Sequence, residues 1–326
     1  MSDTTVALNR PIARKWRDFL RAVVAIISPR ILLLIGLILI TGAVFSYLAP
    51  NFMTQSSLIN IARQATVMWV VALGTTFVLT SGEIDLSVGS VVALVSMVGA
   101  TMIREGFPLP LVMVASLGTG LAVGAINGFI TLQMRVPSFL ATLGTMAVLR
   151  GLAWEVSLQY VPVRSIPFVK FFRMSPLGVP MPIVIALALT VVAGLLLHFS
   201  RFGVRTRAVG SSEVAARLAG LKVKQHKFLV LMLASAMAAI GGIIYMGRTN
   251  YGMPTAATGL ELQVIAAVIL GGTRLGGGVG SVVGTTLGAI LLTVIFVGIA
   301  TLGLPGPYQD VARGTAIVLA VLLMRR

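Results

Sequence analysis

Long apolar runs separated by short polar breaks extend along almost the whole chain. A helix that crosses a lipid bilayer needs about 20 mostly apolar residues, and the sequence contains many such runs. The pattern predicts an all-α integral membrane protein with about ten transmembrane helices. The approximate limits of these predicted helices are Ile31–Tyr47, Ala65–Thr80, Leu86–Ile103, Leu109–Leu132, Pro137–Val156, Met181–Phe199, Phe228–Met246, Leu260–Gly272, Val279–Leu302 and Val311–Met324.

The polar segments predict a simple domain organisation, with a basic cytoplasmic tail at residues 1–30 and a single transmembrane domain at residues 31–326. The first apolar run is longer than the core of a usual secretory signal, and no convincing cleavage site follows it. We therefore expect an uncleaved first helix. One long connection, residues 157–180, is rich in proline and aromatic residues. Proline disfavours a regular helix, so we predict an irregular or partly re-entrant external loop. It is either a plain connector or a segment that contacts an external partner or lines the entrance.

A second long connection, residues 200–227, is the most polar stretch between the apolar runs. It holds seven of the 25 Lys and Arg residues and one acid, Glu213. Its middle part, Ser212–Leu221, is a short candidate helix, which Ser211 or Ser212 could cap and Gly220 could end. A small helix presented by a large basic loop indicates a docking site for another protein.

Composition supports the membrane assignment and explains the charge. Of the 326 residues, 57% are hydrophobic and only 10% are charged, against roughly 25% charged residues in a soluble domain. The net charge of +16 would by itself suggest nucleic-acid binding. With ten helices and a cytoplasmic N-terminus, however, 17 basic residues fall on the cytoplasmic side and six outside, which is the bias that orients membrane proteins. Both termini are then cytoplasmic, and no nucleic acid is expected.

Residue types that carry common catalytic chemistry are scarce. The chain has no cysteine and two histidines, so we expect neither a disulfide framework nor a metal site. Gly276–Gly278 with Gly280 and Gly284 resembles a dinucleotide fingerprint only superficially, because that motif requires a βαβ unit. No P-loop and no pair of buried carboxylates is recognisable. We therefore predict a translocation protein that is not an enzyme.

Two rows of glycine predict close packing between helices. Residues i and i+4 lie on the same face of a helix, so glycines at this spacing form a flat strip that a neighbouring backbone can approach closely. The two rows are Gly120, Gly124 and Gly128, and Gly280, Gly284 and Gly288.

Acidic residues are few, and two polar breaks contain the most informative ones. Glu83, Asp85 and Ser87 lie in the first break, and Glu261 and Gln263 lie at the start of a short apolar run. A carboxylate at the beginning of a helix is stabilised by exposed amide groups and by the helix dipole. Alternatively, a polar break at membrane depth borders a water-filled path, and these residues then line the translocation route.

Four separated blocks carry a resemblance to a known family. They are SGEIDLSVGSVVAL, VPSFLATLGTMAVLRGLA, AVGSSEVAARLAGLKVKQHKFLVLMLAS and GLELQVIAAVILGGTRLGGGVGSVVGTTLGAIL, and they cover roughly residues 60–320. These blocks resemble the permease subunits of bacterial ABC sugar importers of the ribose, xylose, galactose and arabinose type, a group that includes autoinducer-2 permeases. The resemblance implies a type II-like importer bundle in the bacterial inner membrane, with two permease subunits forming a homodimer or heterodimer.

The same resemblance implies further partners. A separate ATP-binding cassette ATPase would bind ATP and Mg²⁺, a periplasmic solute-binding protein would deliver the cargo, and this chain itself would bind no cofactor. In the family, a segment similar to GNNEEAARLSGI is the coupling helix that docks into the ATPase, and this chain has GSSEVAARLAGL there, with Val214 where a second glutamate is common. The residues assigned to coupling in this way are Glu213, Ala215, Ala216, Arg217 and Gly220, with Ser212 as the candidate cap.

These expectations define the permease subunit of an ATP-driven importer for a monosaccharide or related small polar solute, working by alternating access. Two alternatives stay open. An ion-coupled secondary transporter would use carboxylates within the membrane, for which Glu83 and Asp85 are the plausible candidates. An ABC permease for branched-chain amino acids is the other alternative, although the GEIDLSVGS and EVAARLAG blocks look more like those of the sugar group.

Overall fold

The computed structural model describes residues 29–323, so most of the predicted tail at residues 1–30 and the end of the last predicted helix at Met324 lie outside the described residues. Within that range the chain forms thirteen α-helices, one 3₁₀ turn (Pro176–Gly178) and two strands of two residues each. The elements are α1 Pro29–Leu48, α2 Gln55–Thr80, α3 Val88–Arg104, α4 Leu109–Leu132, α5 Ser138–Val156, β1 Val161–Pro162, α6 Ile166–Arg173, α7 Met181–Phe199, α8 Arg201–Ser211, α9 Glu213–Leu218, α10 Val223–Thr249, β2 Tyr251–Gly252, α11 Leu260–Leu270, α12 Val282–Thr301 and α13 Gly306–Leu323.

The predicted all-α membrane fold is confirmed. Seven of the described helices, α1, α2, α4, α5, α7, α10 and α12, are long and apolar enough to cross a membrane, and α3 and α11 are shorter apolar helices. α13, which contains the predicted tenth span, begins with a polar turn that includes Gln309 and Asp310 and is not among the seven. α2 begins ten residues before the predicted Ala65, because Thr54 caps its start by accepting a hydrogen bond from the Ser57 amide.

The predicted span Leu260–Gly272 needs a correction. The helix found there, α11, has 11 residues, and at 1.5 Å per residue it rises about 16 Å, roughly half of the hydrocarbon thickness of about 30 Å. β2 and the irregular segments 253–259 and 271–281 complete the path between α10 and α12. Irregular backbone at membrane depth is tolerated where protein or a water-filled cavity surrounds it, and α11 packs against α2, α12 and α13.

α10 occupies the centre of the bundle and packs against α2, α3 and α4. The inner part of α2 is enclosed, since every residue from Ala65 to Thr80 is buried. The outer surface is formed by large apolar side chains on α1, α4, α5 and α7, such as Leu39, Val114, Val148 and Val191, which are exposed. Lipid tails or another protein would cover such a surface in a membrane.

The first glycine row lies at a contact between two helices, whereas in the second row only Gly284 and Gly288 belong to α12, because that helix begins at Val282 and Gly280 precedes it. Gly120, Gly124 and Gly128 face α10: the Cβ position of Gly124 is 2.7 Å from the Met232 Cα, and the Cβ position of Gly120 is 2.7 Å from the Ser235 carbonyl oxygen. Gly280 faces the Thr80 side chain. Gly284 faces the Gly271 carbonyl oxygen, and Gly288 faces the Ala267 carbonyl oxygen. A side chain at any of these positions would therefore collide with the segment that faces it.

The loop at residues 157–180 is more ordered than its composition predicts. β1 pairs with β2 in antiparallel orientation, with Val161 opposite Gly252. Helix α6 buries Phe168 and Phe172, and the Phe172 ring lies directly against Gly247 of α10. The loop therefore packs onto the end of α10 and forms part of the bundle at that face.

The bundle has two opposite faces that matter for function. The basic-loop face is the end that carries residues 200–227, and there the Gly278 amide donates a 2.9 Å hydrogen bond to the Thr80 carbonyl oxygen, while Gly210 packs against both residues. The opposite face contains the end of α10 and the end of α12.

Candidate functional site

Helix α9 projects from the basic-loop face. It has six residues, about one and a half turns, and is capped at both ends. The Ser212 Oγ accepts a hydrogen bond from the Ala215 amide at 3.2 Å, and Gly220 adopts a φ of +78°, the left-handed conformation that ends helices. The helix spans Glu213–Leu218, which is shorter than the predicted Ser212–Leu221. The exposed side of α9 is suited to contact with another protein, because its apolar residues Val214 and Leu218 are 72% and 85% exposed.

One residue anchors each side of α9. Ala216 is buried and packs in a small apolar cluster with Val209 and Val223. On the polar side, Glu213 forms an ion pair with Lys227, the residue one turn into α10. Ala215 and Arg217 are exposed. The helix is therefore held at its base and presents its apolar and basic side chains outwards.

Lys227 also reaches the first polar break. Its Nζ lies 2.6 Å from the Glu83 Oε1, and its side chain is only 5% exposed. A buried ammonium needs opposite charges and hydrogen bonds to offset its loss of hydration, and the two carboxylates supply them. Glu83 is thus located at the basic-loop face beside α9, and its assignment to the translocation path stays a prediction.

Asp85 lies in the segment between α2 and α3 and is fully buried. Its Oδ1 accepts hydrogen bonds from the Ser87 amide at 2.8 Å and the Ser87 Oγ at 2.6 Å, while its Oδ2 has no partner within residues 29–323. Burial raises the pKa of the Asp85 carboxyl, and the two hydrogen bonds from Ser87 oppose that effect. Asp85 therefore accepts a hydrogen bond from a free amide directly before α3, whose N-cap residue is Ser87, and its assignment to the translocation path stays a prediction.

The hydrogen-bond chain continues into the neighbouring helices. Asn127 of α4 donates from Nδ2 to the Ser87 Oγ at 2.8 Å, and its Oδ1 accepts from the Thr145 Oγ1 of α5 at 2.7 Å. The Leu86 amide donates to the Thr142 Oγ1 at 3.0 Å. Sequence reasoning missed these residues, although Asn127 is the only side-chain amide in an otherwise apolar helix, and a buried amide of this kind requires partners.

The start of α11 is positioned by Arg150. Its guanidinium donates to the carbonyl oxygens of Pro254 at 2.9 Å and Ala256 at 2.7 Å, which holds the irregular segment that leads into the half-helix. Glu261 packs against Gly89 of α3, and its Oε2 is buried without a hydrogen-bond partner in the described part of the chain. The structure therefore brings Glu261 next to the first turn of α3, which directly follows Asp85 and Ser87, whereas the cavity lined by Gln263 contains neither Glu83 nor Asp85.

A cavity of about 440 Å³ opens at the opposite face between α2, α10, α11 and α12. Gln263 is the predicted path residue that lines it. The other polar side chains are Gln64, Tyr245, Arg248, Thr293 and Thr301, and the apolar ones include Met68, Leu260 and Phe296.

A larger cleft of about 760 Å³ lies at the basic-loop face, with Arg30, Ser211 and the glycine-rich segment 276–278 in its wall. The Gly277 amide donates to the Arg274 carbonyl oxygen and the Gly278 amide to that of Thr80. These amides are occupied within the chain, so the glycine segment does not form the phosphate cradle of a dinucleotide motif.

A polytopic bundle with a half-helix, an internal polar cavity and an exposed short helix defines a membrane permease, and comparison with known proteins identifies which kind. The family model described as "Branched-chain amino acid transport system / permease component" matches residues 57–321. The ribose import permease protein RbsC of Escherichia coli strain K12 is 37% identical over 99% of this chain and 98% of its own length. The chain belongs to this permease family, and the family resemblance of the four sequence blocks is confirmed.

Other relatives agree with this assignment, and one solved structure agrees with the fold. The ribose import permease protein RbsC of Bacillus subtilis is 37% identical over 87% of this chain and 89% of its own length. The L-arabinose transport system permease protein AraH of Escherichia coli strain K12 is 33% identical over 90% and 89%. The structure titled "An inward-facing conformation of a putative metal-chelate type ABC transporter" aligns with a TM-score of 0.52 at 15% identity, covering 91% of this chain and 99% of that one, which supports the fold alone.

Proposed function

We propose that this chain is the membrane subunit of an ATP-driven importer for a monosaccharide, coupled to a separate ATPase through α9. The observation that carries the proposal is the 37% identity to a ribose import permease along 99% of the chain. The description of the family model names branched-chain amino acids, whereas the relatives compared above are named for ribose and arabinose. These names favour a sugar as cargo over an amino acid.

The geometry of α9 supports docking of an ATPase. Two apolar side chains, Val214 and Leu218, protrude from an otherwise basic face, and exposed apolar residues on such a projection are suited to burial in a partner. The ATPase would bind ATP and Mg²⁺ and contact α9 from the cytoplasm, which places the basic-loop face on the inner side of a bacterial inner membrane and both termini in the cytoplasm.

A movement of α9 has a direct route into the bundle. Lys227 connects Glu213 of α9 to Glu83 in the segment before α3, and that segment is hydrogen-bonded to α4 and α5 through Ser87, Asn127 and Thr145. A pull or push by the ATPase would therefore act on three membrane helices at once. In alternating access this displacement would change which face the cargo path opens to.

The remaining partners would contact the opposite face or complete the path beside it. A solute-binding protein would dock there, near the ordered loop at residues 157–180 and the mouth of the cavity, and a second permease subunit would complete the path. An ion-coupled transporter is disfavoured, because Glu83 is paired with Lys227 and Asp85 is bonded to Ser87, and neither residue lines the cavity at the opposite face.

The proposal is tested by transport in proteoliposomes that contain this chain, its ATPase and its solute-binding protein. The panel should include pentoses, hexoses, deoxysugars and polyols, with L-leucine as the amino-acid comparator. We expect uptake of a sugar that requires all three proteins and ATP. Uptake by this chain alone, driven by an imposed proton or sodium gradient, would contradict the proposal, as would ATP-dependent uptake of leucine in place of any sugar.

A further inference from the structure

Arg248 lies in the wall of the cavity at the opposite face. The Arg248 Nε is buried and has no hydrogen-bond acceptor in the described part of the chain, although Arg248 itself is one of the residues lining the cavity. Its guanidinium carbon lies 5.8 Å from the centre of the Tyr245 ring, within the range of a cation–π contact. The guanidinium of Arg248 carries several N–H donors and no acceptor, and Arg248 lines the cavity, so the site is suited to a ligand that supplies oxygen atoms.

The rest of the lining limits the chemistry of that ligand. Gln64 and Gln263 each provide an amide that both donates and accepts hydrogen bonds, and Thr293 provides a hydroxyl. Tyr245 and Phe296 provide aromatic surface for an apolar face. Among the described residues that line the cavity none is acidic, so the ammonium group of an amino acid would find no opposite charge there.

The size of the cavity fits a small cargo. A volume of about 440 Å³ is within the range of about 300–1,000 Å³ that is typical of small-molecule sites. A monosaccharide offers hydroxyl groups that both donate and accept and a face of C–H bonds that packs on aromatic rings, which matches the paired amides, the guanidinium and the two rings.

We propose that this cavity is a cargo-binding subsite for a neutral polyhydroxylated molecule, in which Arg248, Gln64 and Gln263 hydrogen bond to hydroxyl groups. The inference rests on the proposed importer function and adds the residues and the ligand class. It gives the permease its own recognition step after the solute-binding protein has released the cargo. The position of Gln263 on the half-helix α11 makes this contact dependent on the placement of α11 by Arg150.

The test uses the complete reconstituted importer, with uptake and ATP hydrolysis measured on the same preparation. Gln263→Ala and Arg248→Met should each lower the uptake of the wild-type sugar by about 3- to 10-fold, the effect expected for one lost hydrogen bond. ATP hydrolysis stimulated by the loaded solute-binding protein should stay near the wild-type rate, because α9 and its contacts are unchanged. Gln55→Ala, an exposed glutamine on the same helix as Gln64 but outside the cavity, should transport like the wild type.

A second measurement tests cargo binding by the permease in the absence of the solute-binding protein. Saturation-transfer NMR on the detergent-solubilised permease–ATPase complex should detect contact with the sugar that the wild-type importer takes up. The signal should weaken in Gln263→Ala, return in part in Gln263→Asn, and be weak or missing with L-leucine. Wild-type uptake and NMR signal in both cavity variants would overturn the subsite while leaving the importer intact. A wild-type complex that imports no member of the sugar panel would instead contradict the importer itself.

Discussion

The Nζ of Lys227 lies 2.6 Å from the Oε1 of Glu83, although the two residues are 144 positions apart in the chain. Lys227 also pairs with Glu213, so a single ammonium group joins the base of α9 to the segment between α2 and α3. This arrangement is the most direct physical connection between the proposed docking helix and the membrane bundle.

Replacing Lys227 should strongly destabilise the permease. Lys227→Met leaves the Glu83 carboxylate in a site that is 12% exposed with no cation, and breaking a buried pair in this way costs about 3–5 kcal/mol. We expect a lower midpoint of thermal unfolding for the purified permease–ATPase complex. Lys224→Met, an exposed lysine on the same turn of α10, serves as the control.

A double variant separates charge from packing. Adding Glu83→Gln to Lys227→Met removes the stranded carboxylate, so part of the lost stability should return. Equal unfolding midpoints for Lys227→Met and Lys224→Met would show that the pair contributes little.

A carboxylate on the exposed side of α9 should uncouple transport from ATP hydrolysis. Val214→Asp would place a charge where the ATPase is proposed to bury an apolar side chain, and an unpaired buried charge costs several kcal/mol, or more than about 10-fold in affinity. We expect ATP-dependent uptake to fall by at least this factor, with normal amounts of the permease in the membrane. Ala215→Asp, at the next residue of α9, which is also exposed, should behave in the same way.

The matched control for this prediction is Val204→Asp on α8. Val204 is 57% exposed, compared with 72% for Val214, but it lies outside α9. Equal uptake by both aspartate variants would count against α9 as the docking element.

Leucine in the first glycine row should prevent proper assembly of the bundle. The Cβ position of Gly124 is 2.7 Å from the Met232 Cα and 3.0 Å from the Leu231 carbonyl oxygen, so Gly124→Leu would push α4 away from the backbone of α10. Overpacking costs at least about 1–3 kcal/mol, and we expect low yield of monodisperse protein on size-exclusion chromatography. Gly118→Leu, on the same helix with no atom within 4 Å of its Cβ position, should express normally.

A leucine in the second glycine row should have the same effect. Gly284→Leu would collide with the Gly271 carbonyl oxygen and should impair folding or assembly. Normal yield with a selective loss of cargo affinity would refute the packing role.

Asn127 should prove more important for stability than its sequence context indicates. Asn127→Leu keeps the branched shape of the side chain but removes the hydrogen bonds with Ser87 and Thr145, a loss of about 1–3 kcal/mol. Thr119→Val on the same helix removes a bond only to the Ala115 carbonyl oxygen. Thermal unfolding of the two variants should therefore differ, with Asn127→Leu the less stable; the reverse order would show that the network is dispensable.

Local patterns in the sequence were sufficient for the class of protein, for most helices and for the existence of α9. Apolar runs identify spanning helices because lipid requires a continuous apolar surface and internally satisfied backbone. The Ser212 cap and the Gly220 turn are likewise local, since each depends on a few adjacent residues. The start of α2 was placed too late because Asn60, Arg63 and Gln64 interrupt its apolar pattern, although they occupy a regular helix.

Only the tertiary structure decided which polar residues meet. The Lys227–Glu83 pair, the contacts of Asn127 and the cavity beside Gln263 each join segments that are distant in the chain. Hydrophobic periodicity states that a residue is buried, but it does not state against which partner. The sequence by itself therefore determined a membrane permease with a short capped helix in its basic loop, and the packing of α10 against α2, α3 and α4 decided how that helix is connected to the bundle and where a cargo could bind.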